Sequence, residues 1–377
     1  MVTPHIAYLA IALAERGCEV VYVAEEVMAP ERLALGWTAP VLKGVRFACV
    51  ASEADVETLV STATAVSVHI CQGVRSNGLI RKAQRLLARR KLRQWVIMET
   101  VDDSGWHGLL RRLEYRRLFA MQRSSIGGVL AIGQNTSEWL IKRGVPRHKV
   151  FPFAYFLQDT ESCTYAAREP AGQRVRFIFV GRFDENKRLS ALIDALATFD
   201  LARFELSVVG AGPLESDIKS LAERSLPGRV NWIGRLPQDE VSLAISKADC
   251  LVLPSQRDGW GAVVSEALMV GTQVICSDSC GSAGAALASG GGLVFRCDQT
   301  QELISCLKRV LDQGPLGSER RLELATWGAS LGARTGAKYL TEIFNHVYGE
   351  GEPPSVPWLQ HAPATGALAD GLNGGKP

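Results

Sequence analysis

The sequence predicts an α/β protein made of two doubly wound parallel-sheet domains facing each other across a cleft. Three observations carry this. Short apolar runs suited to buried parallel strands alternate with helix-length segments, first in residues 1–165 and again in 174–348. That alternation calls for right-handed crossovers and covered sheets. A polar, aperiodic stretch at 162–173, containing Pro170 and Gly172, lies between the two series as a linker. The chain has 377 residues, enough for two cores.

In the first half, Ile6, Leu9, Ala10 and Leu13 have helical spacing before Arg16-Gly17, and Val20 to Ala24 reads as a strand. The pair resembles the first helix and second strand of a Rossmann-like domain. A central strand with a glycine turn is expected ahead of that helix, so either the chain starts upstream of Met1, which is the favoured expectation, or this half is damaged. Strands follow at 45–50, 66–71, 95–98, 128–132 and 150–153, with helices at 53–63 and 136–142. Two further helices are basic. One holds Arg75, Arg81, Lys82, Arg85, Arg89, Arg90, Lys91 and Arg93; the other holds Arg111, Arg112, Arg116, Arg117 and Arg123 among Leu109, Leu110, Leu113 and Phe119. Such charge either solvates a helix face or meets an anionic membrane surface or lipid-phosphate acceptor.

In the second half, strands are expected at 175–180, 204–209, 230–233, 250–253, 273–276 and 293–295. Helices are expected near 188–199, 213–224, 238–248, 261–270 and 301–312, with closing helices at 319–330 and 334–347. From Gly349 to Pro377 the composition is mainly Gly, Pro, Ala and Ser, which predicts a disordered tail.

Composition narrows function by exclusion. A net charge of +3 gives no overall nucleic-acid footprint. The nine cysteines include no C-x-x-C pair, and the closest two, Cys276 and Cys280, have no histidine near them, so no metal is expected and thiols in a reducing cytoplasm are. No apolar run reaches the ~18 residues of a spanning helix, and the first residues lack a signal-peptide layout.

Chemistry concentrates where Cys250–Leu253 runs into Pro254-Ser255-Gln256-Arg257-Asp258-Gly259-Trp260-Gly261 and then into a helix ending at Gly271. Free N–H groups at such a helix start favour an anion. Asp258 and Glu266 would repel an anion beside them, so they suit neutral hydroxyls instead. A ligand with phosphate and hydroxyls points to a nucleotide sugar.

Two stretches together resemble glycosyltransferase family 4, which has the GT-B fold. Gly181-Arg182-Phe183-Asp184-Glu185-Asn186-Lys187 is similar to that family's GR…K loop, and Asp258 to Glu266 is similar to its E-x7-E element. Gly271 to Ser277, Val209-Gly210-Ala211-Gly212-Pro213 and Val230 to Gly234 add support. The resemblance implies that Arg182 and Lys187 bind the donor diphosphate and offset the charge that grows as it leaves. It implies that Glu266 holds the ribose hydroxyls and that Asp258 stands near the donor sugar, one methylene shorter than the usual glutamate. Backbone at Gly181, Gly210, Gly212, Gly259, Trp260 and Gly261 would approach phosphate and sugar, and Arg235 and Leu236 would flank the base; the Trp260 side chain itself is expected to pack. Glu99 stands where the family often has a histidine and is an acceptor-site candidate; His107 is too far along to replace it. His69, in an apolar strand, is expected to be a satisfied core histidine.

The implied activity is that of a retaining, metal-independent hexosyltransferase. It would use a nucleotide diphosphate sugar as donor, without a cofactor, and act on a glycan or lipid-linked acceptor in surface polysaccharide or glycolipid synthesis. It is expected in the cytoplasm, with peripheral membrane contact through the basic N-terminal helices. The alternatives are a nucleotide-sugar-binding protein without transfer activity, a sugar-nucleotide epimerase of the same fold, and a dinucleotide oxidoreductase; the last is disfavoured because Gly210-x-Gly212 lacks the third glycine.

Overall fold

Pro4 occupies the first turn of helix α1 (Pro4–Glu15), where a missing N–H costs nothing. Ser52 and Asp55 close a reciprocal capping box at the start of α2 (Glu53–Ser61). These and the following elements come from a computed structural model, which describes residues 1–29, 39–75, 78–159 and 174–360. The expected linker at 162–173 lies outside the described residues.

The N-terminal elements continue as β1 (Val21–Ala24), β2 (Arg46–Cys49), β3 (Val68–Gln72), α3 (Leu79–Arg89), β4 (Arg93–Glu99), α4 (Gly105–Gln122), β5 (Ile126–Ile132), α5 (Thr136–Ile141) and β6 (Val150–Phe153). All strand pairs are parallel, but the strands form two sheets, β1-β2 and β3-β4-β5-β6. Strands β1 and β3 are therefore sheet edges, and Val23 and Ile70 are exposed on them.

Two expectations are corrected here. Arg75 and Arg93 do not belong to the first basic helix: Arg75 precedes it, and Arg93 opens β4 with its guanidinium 4.3 Å from the Tyr348 ring centroid. His69 is part-buried on edge strand β3, and its Nε2 has no hydrogen-bond partner, so it is not a satisfied core histidine.

The C-terminal series forms one six-stranded parallel sheet, β12-β11-β10-β7-β8-β9. Its strands are β7 (Val175–Val180), β8 (Phe204–Val209), β9 (Val230–Gly234), β10 (Cys250–Leu253), β11 (Gln273–Ser277) and β12 (Gly292–Phe295). Strands β10 and β11 are buried at every position, as both faces of a covered parallel sheet require. Helices α6 (Leu189–Leu196), α7 (Glu215–Ser225), α8 (Gln238–Ser246), α9 (Ala262–Met269), α10 (Ala283–Ala288), α11 (Thr300–Gln313) and α12 (Ser318–Gly328) provide the covering layers. The order reverses between β7 and β10, which puts the loops after β7, β8, β9 and β10 around the switch point where ligands bind.

Helix α13 (Ala333–Tyr348), expected with the C-terminal domain, instead packs along α1 and under the N-terminal sheet. Trp95 Nε1 donates to Tyr348 Oη at 2.7 Å, and Tyr339 Oη donates to the Pro152 carbonyl at 3.0 Å. The chain crosses between domains at Leu157 and at Gly332, and these crossings lie side by side: Leu157 N–H donates to Leu331 O and Ala333 N–H to Leu157 O. The expected disorder from Gly349 is corrected over 349–360. Trp358 is buried, edge-on to Trp260 at 5.9 Å and to Tyr339 at 6.4 Å, so one aromatic anchor outweighs a polar composition. Residues 361–377 lie outside the described residues.

Candidate functional site

The loop after β10 makes a sharp turn before α9. Gly261 caps that helix at φ +81°, and a Cβ there would stand 2.4 Å from Cys280 Sγ, so only glycine fits. No side chain caps the helix start. Among the described residues, the amides of Gly259, Trp260 and Gly261 meet no backbone carbonyl. The Trp260 side chain packs, as expected: it is buried, and its Nε1 donates to Ser265 Oγ at 2.9 Å. Only its backbone is available to a ligand.

Glu266 lies one turn into α9. Its Oε2 is buried with no hydrogen-bond partner, and burial pushes the carboxyl up to about 7. An unpaired buried carboxylate is costly, and a structure that retains one favours an arriving donor. Lys187 forms an ion pair with Asp258 that is largely buried. The backbone N–H of Lys187 is fixed by Asp184 Oδ1 at 2.9 Å. Arg182 is different: its side chain is 68% exposed, and its nearest acid, Asp184, is 3.7 Å away. One cation is thus held by Asp258, and the other stands largely exposed beside Asp184.

Gly181 leaves β7 with its N–H donating to Val209 O at 3.0 Å. Gly210, at φ +131°, has the Gly181 carbonyl 1.9 Å from where its Cβ would be, and Gly212 has the Phe183 carbonyl at 2.4 Å. These two glycines let the β8 loop lie against the 181–183 loop, a packing role beside any phosphate contact. Arg235 is exposed after β9, and Leu236 packs on the core beside it. The structure pairs Lys187 with Asp258 and sets Glu266 one turn into the helix that follows the 259–261 turn. It sets Arg235 on the neighbouring strand end, beyond Gly210, whose N–H donates to Gly234 O at 2.8 Å.

The N-terminal domain closes on this loop. The Glu99 carboxylate, at the end of β4, fills the space above Gly259: a Cβ on Gly259 would lie 1.9 Å from Glu99 Oε2. Burial, with Glu99 beside it, pushes the Tyr155 hydroxyl above its usual range, and the His5 ring stacks on Tyr155 at 4.8 Å. Gly133, after β5, approaches the Gly259 carbonyl, and Gln134 donates from its backbone to Gly281 O and from Nε2 to Asp278 O. Asp102 pairs with Arg257 at 2.5 Å, and that guanidinium holds the Asp102 carboxyl well below the usual range. His107 is exposed against Trp106 and takes no part.

Sequence reasoning missed Asn186, Asp102 and Gln134. Asn186 clamps the loop after β10: its Oδ1 accepts from Arg257 N–H, its Nδ2 donates to Arg257 O, and its carbonyl accepts from Gln256 N–H. Its place one residue before Lys187 was the available signal. No group of three or more His, Cys, Asp or Glu able to hold a metal occurs among the described residues.

Solved structures with this arrangement share its fold. The lipopolysaccharide outer core galactosyltransferase WaaB superposes with a TM-score of 0.66 at 17% identity, covering 90% of this chain and 94% of that one. Anabaena HepE in complex with UDP gives 0.66 at 14% identity, covering 91% and 96%. The fold is GT-B.

Residues 166–325 of this GT-B chain match the family described as glycosyl transferases group 1. The amylovoran biosynthesis glycosyltransferase AmsK of Erwinia amylovora is 27% identical over 51% of this chain and 50% of its own length. The 2-deoxystreptamine glucosyltransferase of Streptomyces kanamyceticus is 33% identical over 38% of each. The chain thus spans half or less of the length of these curated relatives.

Proposed function

We propose that this protein is a retaining glycosyltransferase of family 4 type, moving a hexose from a nucleotide diphosphate sugar to an acceptor hydroxyl. The observation that carries the reading is the unpartnered, buried Glu266 Oε2 on the helix whose uncapped start follows the Lys187–Asp258 pair. Ribose hydroxyls are neutral donors that satisfy a carboxylate without bringing charge into the crevice. The diphosphate takes the 259–261 amides and the α9 dipole, with Arg182 swinging onto it and Lys187 leaving Asp258 for phosphate oxygen. Freed of Lys187, Asp258 accepts from sugar hydroxyls.

These donors act most strongly where charge grows on the departing diphosphate, so they lower the barrier as well as bind. In this reading the acceptor hydroxyl attacks from the leaving-group face and passes its proton to the departing phosphate. Glu99, at the N-terminal wall, receives acceptor hydroxyls. Structures of HepE with UDP and with UDP-glucose support the donor class, and AmsK supports polysaccharide synthesis as the setting.

The test is titration calorimetry with UDP and GDP, followed by donor consumption against a panel of acceptors. Tight nucleotide binding abolished in Glu266→Ala, with donor consumed only when acceptor is present, is expected. Binding without turnover would leave a sugar-nucleotide-binding protein, and consumption without acceptor would make it an epimerase.

A further inference from the structure

Among the described residues, two that carry a side chain, Lys91 and Arg188, hold a left-handed backbone, both at φ +54°. Lys91 lies just past the end of α3, where a left-handed residue commonly stops a helix. Arg188 lies at the start of α6, where the residue before a helix is ordinarily extended. The neighbouring α9 begins the same way, at φ +81°, but on Gly261, for which that backbone is unstrained. Strands β7 and β10, which lead toward these two helices, pair directly in the sheet. An arginine kept where glycine would be unstrained points to a function of its side chain.

That side chain is part-buried, and its Nη1 donates to the Cys297 carbonyl, 109 residues on and just past β12. The carbonyl is itself anchored: Cys297 N–H donates to Asp278 Oδ1 at 3.0 Å, and Asp278 N–H to Phe295 O at 2.8 Å. The residue before Arg188 is Lys187, whose N–H donates to Asp184 Oδ1 at 2.9 Å. Asp184 O accepts from Arg188 N–H at 3.4 Å, which closes the short turn on itself. On the other side of Lys187, Asn186 is clamped to Gln256 and Arg257. The backbone is thus pinned on both sides of Lys187, and on the C-terminal side the Arg188 guanidinium is the pin. A flexible four-carbon stem reaches one place only as reliably as its backbone is aimed. Here that place is Asp258.

We propose that Arg188 is a positioning residue for donor binding: anchored on the Cys297 carbonyl, it holds its own backbone left-handed and so aims Lys187 at Asp258 and at the donor diphosphate. Arg188 acts through Lys187 and takes no ligand itself. The proposal rests on the reading of Lys187 as a diphosphate ligand and adds the residue that directs it.

Full-length wild type, Arg188→Gly, Arg188→Lys, Lys187→Ala and Lys187→Ala/Arg188→Gly would be titrated with UDP and with GDP by calorimetry, with a melting curve for each. Glycine accepts the left-handed backbone, so Arg188→Gly should melt near wild type. Its affinity for the diphosphate that wild type prefers should nevertheless fall about tenfold. Arg188→Lys keeps a donor for the Cys297 carbonyl and should recover part of that loss. In the Lys187→Ala background the glycine substitution should lower affinity no further, because the group it aims is gone. Losses that multiply in the double variant would show Arg188 acting on the ligand by itself and would overturn the proposal. So would Arg188→Gly with wild-type affinity, or with a collapsed melting curve. Lys187→Ala with undiminished affinity would instead remove the diphosphate role of Lys187, and wild type that binds neither nucleotide would remove the donor site; the proposal would fall with either.

Discussion

Glu266 concentrates the residue-scale argument. Its carboxyl rises from 4.5 to about 7 because burial penalises the charge. The folded state therefore holds this proton more tightly than the unfolded chain, and stability falls as pH rises through that window, by up to about 3 kcal/mol. Glu266→Gln should flatten that slope in thermal melts, raise stability at pH 8 and weaken UDP binding roughly tenfold or more. A variant with the wild-type slope would remove the burial argument. The two cations should separate in the same way. Arg182→Ala, at an exposed site, should leave stability within about 0.5 kcal/mol, whereas Lys187→Ala leaves Asp258 without its partner and should cost about 1 kcal/mol. Both should lower affinity for UDP by calorimetry. Sequence had named all four side chains through the spacing and family resemblance of the 181–187 and 258–266 stretches; it could not tell that Lys187 is held by Asp258 while Arg182 is not.

Among the elements, the loops after β7 and β8 depend on each other. Gly210→Ala would drive a Cβ into the Gly181 carbonyl, and backbone cannot rotate away as a flexible side chain can. At a positive φ as well, the substitution should cost roughly 1–3 kcal/mol and lower both the melting temperature and UDP affinity. Gly259→Ala meets the far end of Glu99, which can move, so it should melt near wild type. Strand and helix positions were legible because parallel strands buried on both faces read as unbroken apolar runs. The uncertain ends were those where a neighbour decides: Arg93 joins β4 because β3 and Tyr348 are there to receive it.

At the scale of the whole molecule, the domains meet through Asp102–Arg257, Gln134–Gly281 and Glu99 over Gly259, and the chain is closed behind by α13 and Trp358. Trp358→Ala removes an aromatic shared by both domains and should destabilise by about 3–5 kcal/mol in denaturant melts. A cost under about 1 kcal/mol would mean that 349–360 does not hold the molecule together.

The sequence by itself determined the two tandem sheets, the strand–loop–helix that opens amides to an anion, and the acids and cations around it. All of these are written in contiguous residues whose period or spacing fixes local geometry. Tertiary structure alone decided that α13 covers the N-terminal domain, that the sheet there runs as two pieces, that Glu99 rests on Gly259, and that Arg188 reaches the Cys297 carbonyl. Each of these depends on which distant surface a segment meets, and hydrophobic attraction, having no direction, leaves that choice to the packed whole.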